Sequence, residues 1–321
     1  MRRALVACWV TLVALATAGA ALAGNGGFAP QPPESPNAQG ITDTYWFVVA
    51  LTGAVFVLVE AALIVFIIRF RSRGRARDVD GPQIIGHSRL EVIWTIIPVV
   101  ILAVIAGFVF YKLPGIHNTP SASAADKLEI RVEGHQFYWR FVYPDGTTAI
   151  DDLRVPVDRV VTLSIVSADV AHSWWIPKLG GKTDAIPGRT NHSWFQAERT
   201  GVFHGQCAEF CGIQHAAMRA TVEVLEPAAY QQWLAKQRTP AAGLGKQLFE
   251  GVCAKCHGLA GQGYIGPSLQ GQASPVTLTQ TVRNGVGLMP PVGKNWTPRE
   301  VASVVGYVTR RIAGQGGTGG G

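Results

Sequence analysis

Charged residues are scarce in this chain of 321 residues: they make up 15%, against 48% hydrophobic residues, and the mean hydropathy is +0.19. Soluble domains contain roughly 25% charged residues, so the composition excludes a protein that is soluble throughout. The net charge is +7, but the arginines do not mark a nucleic-acid-binding face. Five of them directly follow an apolar stretch: Arg69, Arg71, Arg73, Arg75 and Arg77. This pattern is typical of a membrane protein.

Cysteine and methionine are also rare, with five and three residues. Apart from Cys8 and the initiator, all of them lie in three short segments: 207–218, 253–257 and 287–291. Sulfur side chains are soft metal ligands. Their scarcity elsewhere and their clustering here point to metal or redox chemistry.

The N-terminus has the layout of a secretory signal peptide. Arg2 and Arg3 precede an apolar run, and Ala21-Leu22-Ala23 is a small-residue cleavage site. The alternative is a third membrane helix, which is disfavoured because the run is short and Ala-rich. We therefore expect residues 1–23 to be a signal peptide.

Two later segments have the length and apolarity of membrane spans. Residues 44–68 are interrupted only by Glu60, and residues 92–111 carry no charge; a span needs about 20 apolar residues. The loop 69–91 holds six arginines against three acidic residues, which places it in the cytoplasm by the positive-inside rule. We expect a two-helix transmembrane hairpin in a bacterial plasma membrane, with everything after Lys112 on the outer, periplasmic side.

Beyond a Ser/Ala/Pro linker, short alternating runs divided by turn residues predict β-strands. The runs are 128–132, 137–142, 160–166, 193–195 and 219–224. Together they suggest an all-β Greek-key domain. A short helix is predicted for 228–237. The expected organisation is residues 24–112 for the N-terminal segment and hairpin, 113–226 for the β domain, 227–243 for a linker, 244–313 for a small helical domain and 314–321 for a Gly-rich tail.

Two thiols, an imidazole and a thioether lie within twelve residues, at Cys207, Cys211, His215 and Met218. Such ligands favour copper or zinc over hard cations. The cysteine pair alone could equally form a disulfide. The added His215 and Met218 favour a metal, and a thioether is not a usual ligand of structural zinc.

A second motif, Cys253-Ala-Lys-Cys256-His257, is the attachment signature of c-type haem, with His257 as the proximal iron ligand. The alternatives are a zinc half-site, which lacks a second Cys/His pair downstream, and a thioredoxin-like pair, which lacks a βαβ context. Met289 is the one methionine left to serve as the sixth ligand. Thr297-Pro-Arg-Glu300 is a capping box that opens a helix running to about Ile312.

The spacing Cys-x-Glu-x-Cys-Gly-x-x-His-x-x-Met resembles the CuA loop of cytochrome c oxidase subunit II. Four further motifs share the family's order along the chain: Leu90–Pro98, Gly134–Trp139, His172–Pro177 and Lys182–Arg189. With the haem motif, the resemblance is to subunit II of a caa-type haem–copper oxidase. It implies a cupredoxin-like CuA domain followed by an all-α class I cytochrome c domain.

The resemblance also implies a set of copper ligands. Cys207 and Cys211 would bridge two coppers, and His172 and His215 would each bind one. Met218 and the backbone carbonyl of Glu209 would be weak outer ligands. The Glu209 side chain would face a magnesium ion shared with the catalytic subunit, with Asp184 near the same interface, and Glu91 would open a proton-uptake route. The other readings are a loop cap for Asp184 and an ordinary interfacial carboxylate for Glu91.

One position departs from the family. The aromatic cluster on the electron path, usually Trp-Tyr-Trp, is here Phe137-Tyr138-Trp139. Phenylalanine at the first place puts in doubt the route by which a docked soluble cytochrome delivers electrons. A covalently attached donor would make that tryptophan dispensable. His87, His117, His192 and His204 match no ligand of the family and are expected to be surface or core residues.

The expected function is therefore electron relay in a proton-pumping oxidase, from the haem through the copper pair to a catalytic subunit that reduces oxygen. Expected partners are subunit I, subunit III, an upstream cytochrome or quinol–cytochrome c reductase, and membrane lipid, but no nucleic acid. The rivals are the electron-accepting subunit of a CuA-containing nitric oxide reductase and a copper-handling membrane protein. Glu91 and the Lys182–Arg189 motif favour the oxidase.

Overall fold

The computed structural model describes residues 29–71, 83, 85–121, 123, 126–238, 243–271 and 274–313. The expected signal peptide, most of the arginine-rich loop, and the Gly-rich tail lie outside the described residues. The chain divides into two compact units. One consists of residues 39–116, and the other takes in residues up to 38 and from 117 onward.

The first unit consists of two long apolar helices, α1 (Pro36–Arg69) and α2 (Ser88–His117). Their 34 and 30 residues correspond to about 50 and 45 Å, more than the roughly 30 Å of a bilayer core. In the described part of the chain, these two helices are long and apolar enough to cross a membrane. Both outrun the predicted spans, because hydropathy marks only the apolar centre of each helix.

Contacts between α1 and α2 hold the hairpin together. The rings of Phe47 and Phe108 stack with centroids 3.9 Å apart, and Lys112 pairs with Asp43 at 2.8 Å. Most large apolar side chains of both helices are exposed. This is the expected surface of helices that lipid surrounds.

The second unit contains a sandwich of two five-stranded sheets. Its strands are β1 (Lys127–His135), β2 (Tyr138–Val142), β3 (Thr148–Ile150), β4 (Asp152–Pro156), β5 (Val160–Ser167), β6 (His172–Trp175), β7 (Thr183–Ala185), β8 (Asn191–Gln196), β9 (Gly201–Cys207) and β10 (Arg219–Leu225). The sheet orders are β3-β2-β1-β5-β8 and β4-β10-β9-β6-β7. The five predicted strands are confirmed as β1, β2, β5, β8 and β10.

Alternation along the strands explains the core of the sandwich. In β1, Leu128, Ile130 and Val132 are buried while the residues between them are exposed, as expected for a strand with one face on the core. The β1–β5 and β4–β10 pairs are parallel, and the other ladders are antiparallel. This β-sandwich confirms the expected all-β fold.

The helical domain follows α3 (Pro227–Arg238). Its elements are α4 (Leu244–Leu248), a π-helical stretch (Phe249–Cys253), α5 (Ala254–His257), α6 (Pro275–Asn284), α7 (Pro298–Tyr307) and a second π-helical stretch (Val308–Ile312). The predicted capping box is confirmed, since Thr297 and Glu300 each bond the other's backbone N–H. A second apolar core unites these helices, and it includes Tyr138 of the sandwich.

Candidate copper and haem sites

The predicted copper ligands meet where three strands of one sheet end. His172 opens β6 and Cys207 closes β9, which pairs with β6. The following loop carries Cys211 and His215 back towards β10, which begins directly after Met218. Cys207 Sγ lies 3.8 Å from His172 Nδ1. Cys211 Sγ lies 3.7 Å from His215 Nδ1 and 3.8 Å from Met218 Sδ.

The two thiols and the Glu209 carbonyl complete this cluster. The Sγ atoms of Cys207 and Cys211 are 4.0 Å apart, about twice the length of a disulfide bond. Cys207 Sγ lies 3.2 Å from the carbonyl oxygen of Glu209. The donor atoms of His172, Cys207 and Cys211 all lie within 4.8 Å of one another. Thiolate, imidazole and thioether donors are the set that copper prefers, so the residues present fit a copper centre.

The surroundings of the cluster shift the pKa values of Cys207 and His172. The hydrogen bond shared with Cys211 is the main reason that the pKa of Cys207 lies well below its ordinary value. Burial opposes protonation of His172, but the hydrogen bond to Asp169 raises the pKa of its imidazole above the ordinary value. The thiolate is the form of cysteine that binds a metal, so the lowered pKa of Cys207 favours its role as a ligand.

Asp169 is a residue that the sequence analysis missed. Its Oδ1 atom lies 2.8 Å from His172 Nε2, so it orients the ring and leaves Nδ1 facing the thiols. Carboxylates behind a ligating histidine commonly play this part. The only hint in the sequence is an aspartate three residues before the histidine.

Gly134 provides the space for the His172 ring. A Cβ atom at this position would lie 2.8 Å from His172 Cδ2, closer than packing allows. We predict that Gly134→Ala displaces the ring and weakens copper binding by about 10- to 100-fold, the usual cost of disturbing the surroundings of a metal ligand. Copper titration of the metal-free protein measures this. An unchanged affinity with an unchanged copper spectrum would contradict it.

The predicted haem ligands line one cavity of about 520 Å³, within the range of cofactor pockets. Cys253, Cys256, His257 and Met289 all contribute to its wall, which is largely apolar. Burial raises the pKa of Cys253 to about 12 and also raises that of Cys256. Both thiols are therefore neutral before attachment. The cavity and its four ligating side chains fit a covalently attached haem.

The orientation of His257 is fixed from two sides. Its Nδ1 lies 2.7 Å from the carbonyl oxygen of Pro267, which leaves Nε2 as the free ligand atom. The ring also packs on Gly266, where a Cβ would lie 2.7 Å from Cε1. The loop at Gly266 and Pro267 thus supports the predicted proximal histidine.

Hydrogen bonds and an ion pair join the sandwich to the helical domain. The Tyr138 hydroxyl accepts a hydrogen bond from Trp296 Nε1 and donates to the Val292 carbonyl, both at 2.9 Å. Arg140 pairs with Glu300 at 3.0 Å across the same interface. Burial raises the pKa of Tyr138, so this hydroxyl stays protonated and can donate. The haem domain is docked on the sandwich as well as tethered to it.

The three aromatic residues of the predicted electron path have different surroundings. Phe137 lines the haem cavity, and its ring lies about 3.0 Å from where a Cβ of Gly212, next to Cys211, would stand. Trp139 is fully buried and contacts the His172 ring edge-on, with centroids 5.9 Å apart. Tyr138 packs into the helical domain. Phe137 and Trp139 thus lie beside the two candidate centres.

The structure also describes the surroundings of the other candidate residues. Glu91 accepts a hydrogen bond from the His87 backbone at the start of α2. The side chains of Asp184 and Glu209 are exposed, as are the four histidines that the sequence analysis set aside: His87, His117, His192 and His204.

Comparisons with known proteins cover most of the chain. Residues 23–111 match the family "Cytochrome C oxidase subunit II, transmembrane domain", and residues 147–225 match "Cytochrome C oxidase subunit II, periplasmic domain". The cytochrome c oxidase subunit 2 of Alkalihalophilus pseudofirmus is 37% identical over 249 residues, which cover 72% of this chain and 70% of the relative. The chain belongs to the cytochrome c oxidase subunit II family.

A third family match adds a further domain to this assignment. Residues 240–308 match the family "Cytochrome C oxidase, cbb3-type, subunit III", so this subunit II carries a C-terminal cytochrome c domain. The subunit 2 of Cereibacter sphaeroides is 32% identical, over 66% of this chain and 81% of the relative. The solved periplasmic domain of subunit II from Bradyrhizobium japonicum is 34% identical with a TM-score of 0.35, covering 37% of this chain and 96% of that one. Family membership implies CuA copper and haem c as the cofactors.

Proposed function

We propose that this subunit II accepts electrons at its own haem c and passes them to a binuclear CuA centre, which delivers them to the catalytic subunit of a proton-pumping oxidase. The observation that carries the proposal is the shared wall between the two sites. Phe137 and Ile213 of the sandwich line the haem cavity, and Ile213 lies within the copper loop between Cys211 and His215. Donor and acceptor sites are thus neighbours within one compact unit.

When bound, haem and copper would each supply a carrier of single electrons. The chain's own residues supply the rest. Cys253, Cys256, His257 and Met289 would hold the haem, and a histidine–methionine pair raises its potential into the range of an electron carrier. The copper ligands project from strand ends and a short loop on a packed β-scaffold, which restricts their movement.

The same proposal implies the partners of the chain and its place in the membrane. Subunit II of a haem–copper oxidase partners subunit I, and we infer that the exposed Glu209 carboxylate reaches a magnesium ion at that contact, with Asp184 near it. Glu91 would open a proton-uptake route on the cytoplasmic side. The apolar hairpin would anchor the chain in the bacterial plasma membrane with both redox domains outside. Subunit III and an upstream cytochrome or quinol–cytochrome c reductase complete the expected partners.

Metal analysis and spectroscopy of the full chain in its assembled oxidase test this proposal. We expect two coppers and one covalent haem per chain, with one unpaired electron shared by both coppers in the paramagnetic resonance spectrum. Rapid reduction of the haem should be followed by reduction of the copper centre and then by oxygen consumption. A single copper, zinc or a disulfide at Cys207 and Cys211 would refute the copper assignment. Nitric oxide consumption without oxygen consumption would favour the reductase alternative.

Phe137 provides a specific prediction about the source of electrons. Because the donor domain is attached and docked, its effective concentration is already on the order of mM. Replacing Phe137 by Trp, the usual residue of the family, should therefore change turnover by less than about twofold under the same tethering argument. Oxygen uptake with the chain's own haem as donor measures this. A large gain in rate, at equal haem and copper content, would show that the family tryptophan is still needed.

A further inference from the structure

Lys255 occupies a position that haem attachment itself does not explain. It is one of the two residues between the attachment cysteines, Cys253 and Cys256, yet its ammonium group points out of the helical domain and into the sandwich. Lys255 Nζ donates to the Phe137 carbonyl at 2.9 Å and to Asp151 Oδ2. Both side chains of this ion pair are largely buried, with 16% and 18% exposure. A buried lysine is costly unless it is paired, so this contact is specific.

Asp151 is in turn fixed to the β-scaffold. Its Oδ1 atom accepts from the Trp139 backbone N–H at 2.9 Å. Its own N–H donates to the Trp139 carbonyl at 2.9 Å, and its carbonyl accepts from Thr221 at 2.8 Å. The Asp151 carboxylate that pairs with Lys255 is therefore hydrogen-bonded to Trp139, whose ring packs on the predicted copper ligand His172.

The copper loop makes one hydrogen bond to the haem motif and another to the residue before Phe137. Gln214, the neighbour of His215, donates from Nε2 to the Lys255 carbonyl at 3.4 Å. Gln136 donates from Nε2 to the Cys211 carbonyl at 2.7 Å. The backbone of Lys255 thus accepts a hydrogen bond from the copper loop, while its side chain reaches Phe137 and Asp151 of the sandwich.

We propose that Lys255 is a positioning residue for electron transfer: through Asp151 and the Phe137 carbonyl it fixes the haem-attachment motif against the copper loop. The inference rests on the relay proposed above. The Tyr138–Trp296 and Arg140–Glu300 contacts hold the domain to the sandwich, whereas Lys255 sits within the haem motif itself. Electron transfer falls steeply with separation, so a loosened motif should slow the transfer even when both cofactors are present.

The test uses the assembled oxidase with Lys255→Met, Lys255→Arg and Asp151→Asn. The matched control is Lys246→Met, which removes an exposed ion pair with Glu250 in the same domain. We expect Lys255→Met to slow transfer from photoreduced haem to copper by about tenfold or more, because small misplacements of reacting groups cost up to about a hundredfold. The slowed rate should also become dependent on solvent viscosity. Lys255→Arg should restore most of the rate, and Lys246→Met should match the parent.

A second readout does not depend on electron transfer. Hydrogen exchange of the backbone amides in 249–258 should accelerate in Lys255→Met and Asp151→Asn but not in Lys246→Met. Unchanged transfer and unchanged exchange in Lys255→Met, at full haem and copper content, would overturn the proposal. If Lys255→Met fails to take up haem, Asp151→Asn decides the question, because it leaves the haem motif intact. Absence of haem-to-copper transfer in the unsubstituted protein would refute the proposed relay. The hydrogen-exchange rates would still show whether the Lys255 contact holds the haem motif in place.

Discussion

Replacing Cys207 by Ser should abolish the copper centre and reduce oxygen uptake to background while leaving the haem in place. Cys207 is 3% exposed and lies near His172, the Glu209 carbonyl and Cys211, so no other side chain can take over its role. A hydroxyl is a harder ligand than a thiolate and suits copper poorly. Copper content, paramagnetic resonance and oxygen uptake of the purified oxidase measure the effect.

The matched control for Cys207→Ser is His204→Asn, which changes an exposed residue on the same strand, β9. It should keep full copper content and full turnover. Retention of a shared-electron copper signal in Cys207→Ser would refute the proposed ligand set. Loss of copper in His204→Asn as well would show that the strand, rather than the ligand, is being disturbed.

The reciprocal change, Cys253→Ser together with Cys256→Ser, should remove the covalent haem and spare the copper centre. Thioether attachment needs both thiols, and the wall of the 520 Å³ cavity would then lack its anchors. Electrons from the upstream donor should no longer reach the copper centre, and turnover with that donor should fall to background. Haem staining of the denatured chain and oxygen uptake measure the two effects.

A small artificial donor that reduces the copper centre directly shows whether that centre still works in the haem-free variant. Oxygen uptake should persist with that donor, because the centre downstream of the haem is intact. Full turnover with the physiological donor would instead show that electrons bypass the haem. The two cysteine variants together thus assign each motif to its own cofactor.

The site was more accessible to sequence reasoning than the fold around it. Cys207, Cys211, His215 and Met218 lie within one short loop, so their spacing alone suggests a metal, and His172 came only from the family resemblance. Strands with regular alternation, such as β1 and β5, were predicted because one of their faces is buried. Short or irregular strands gave no periodic signal, as in β6 (His172–Trp175), β7 (Thr183–Ala185) and β9 (Gly201–Cys207) with its two glycines.

Interdomain contacts could not be predicted from the sequence because their partners are far apart along it. Tyr138 and Trp296 are separated by 158 positions, and Asp151 and Lys255 by 104. Neither pair belongs to a motif with its own spacing. The sequence therefore suggested a tether between the two domains, whereas the structure shows a packed interface.

The position of Tyr138 makes the sandwich and the helical domain depend on each other. It belongs to a strand of the sandwich, but its side chain fills the apolar core of the helical domain. Separating the sandwich from the helical domain would leave a cavity in the helical core and expose the ring of Tyr138. The interface, not the connecting peptide, then sets where the haem domain sits, so the length of that peptide is free to vary as long as it spans the gap.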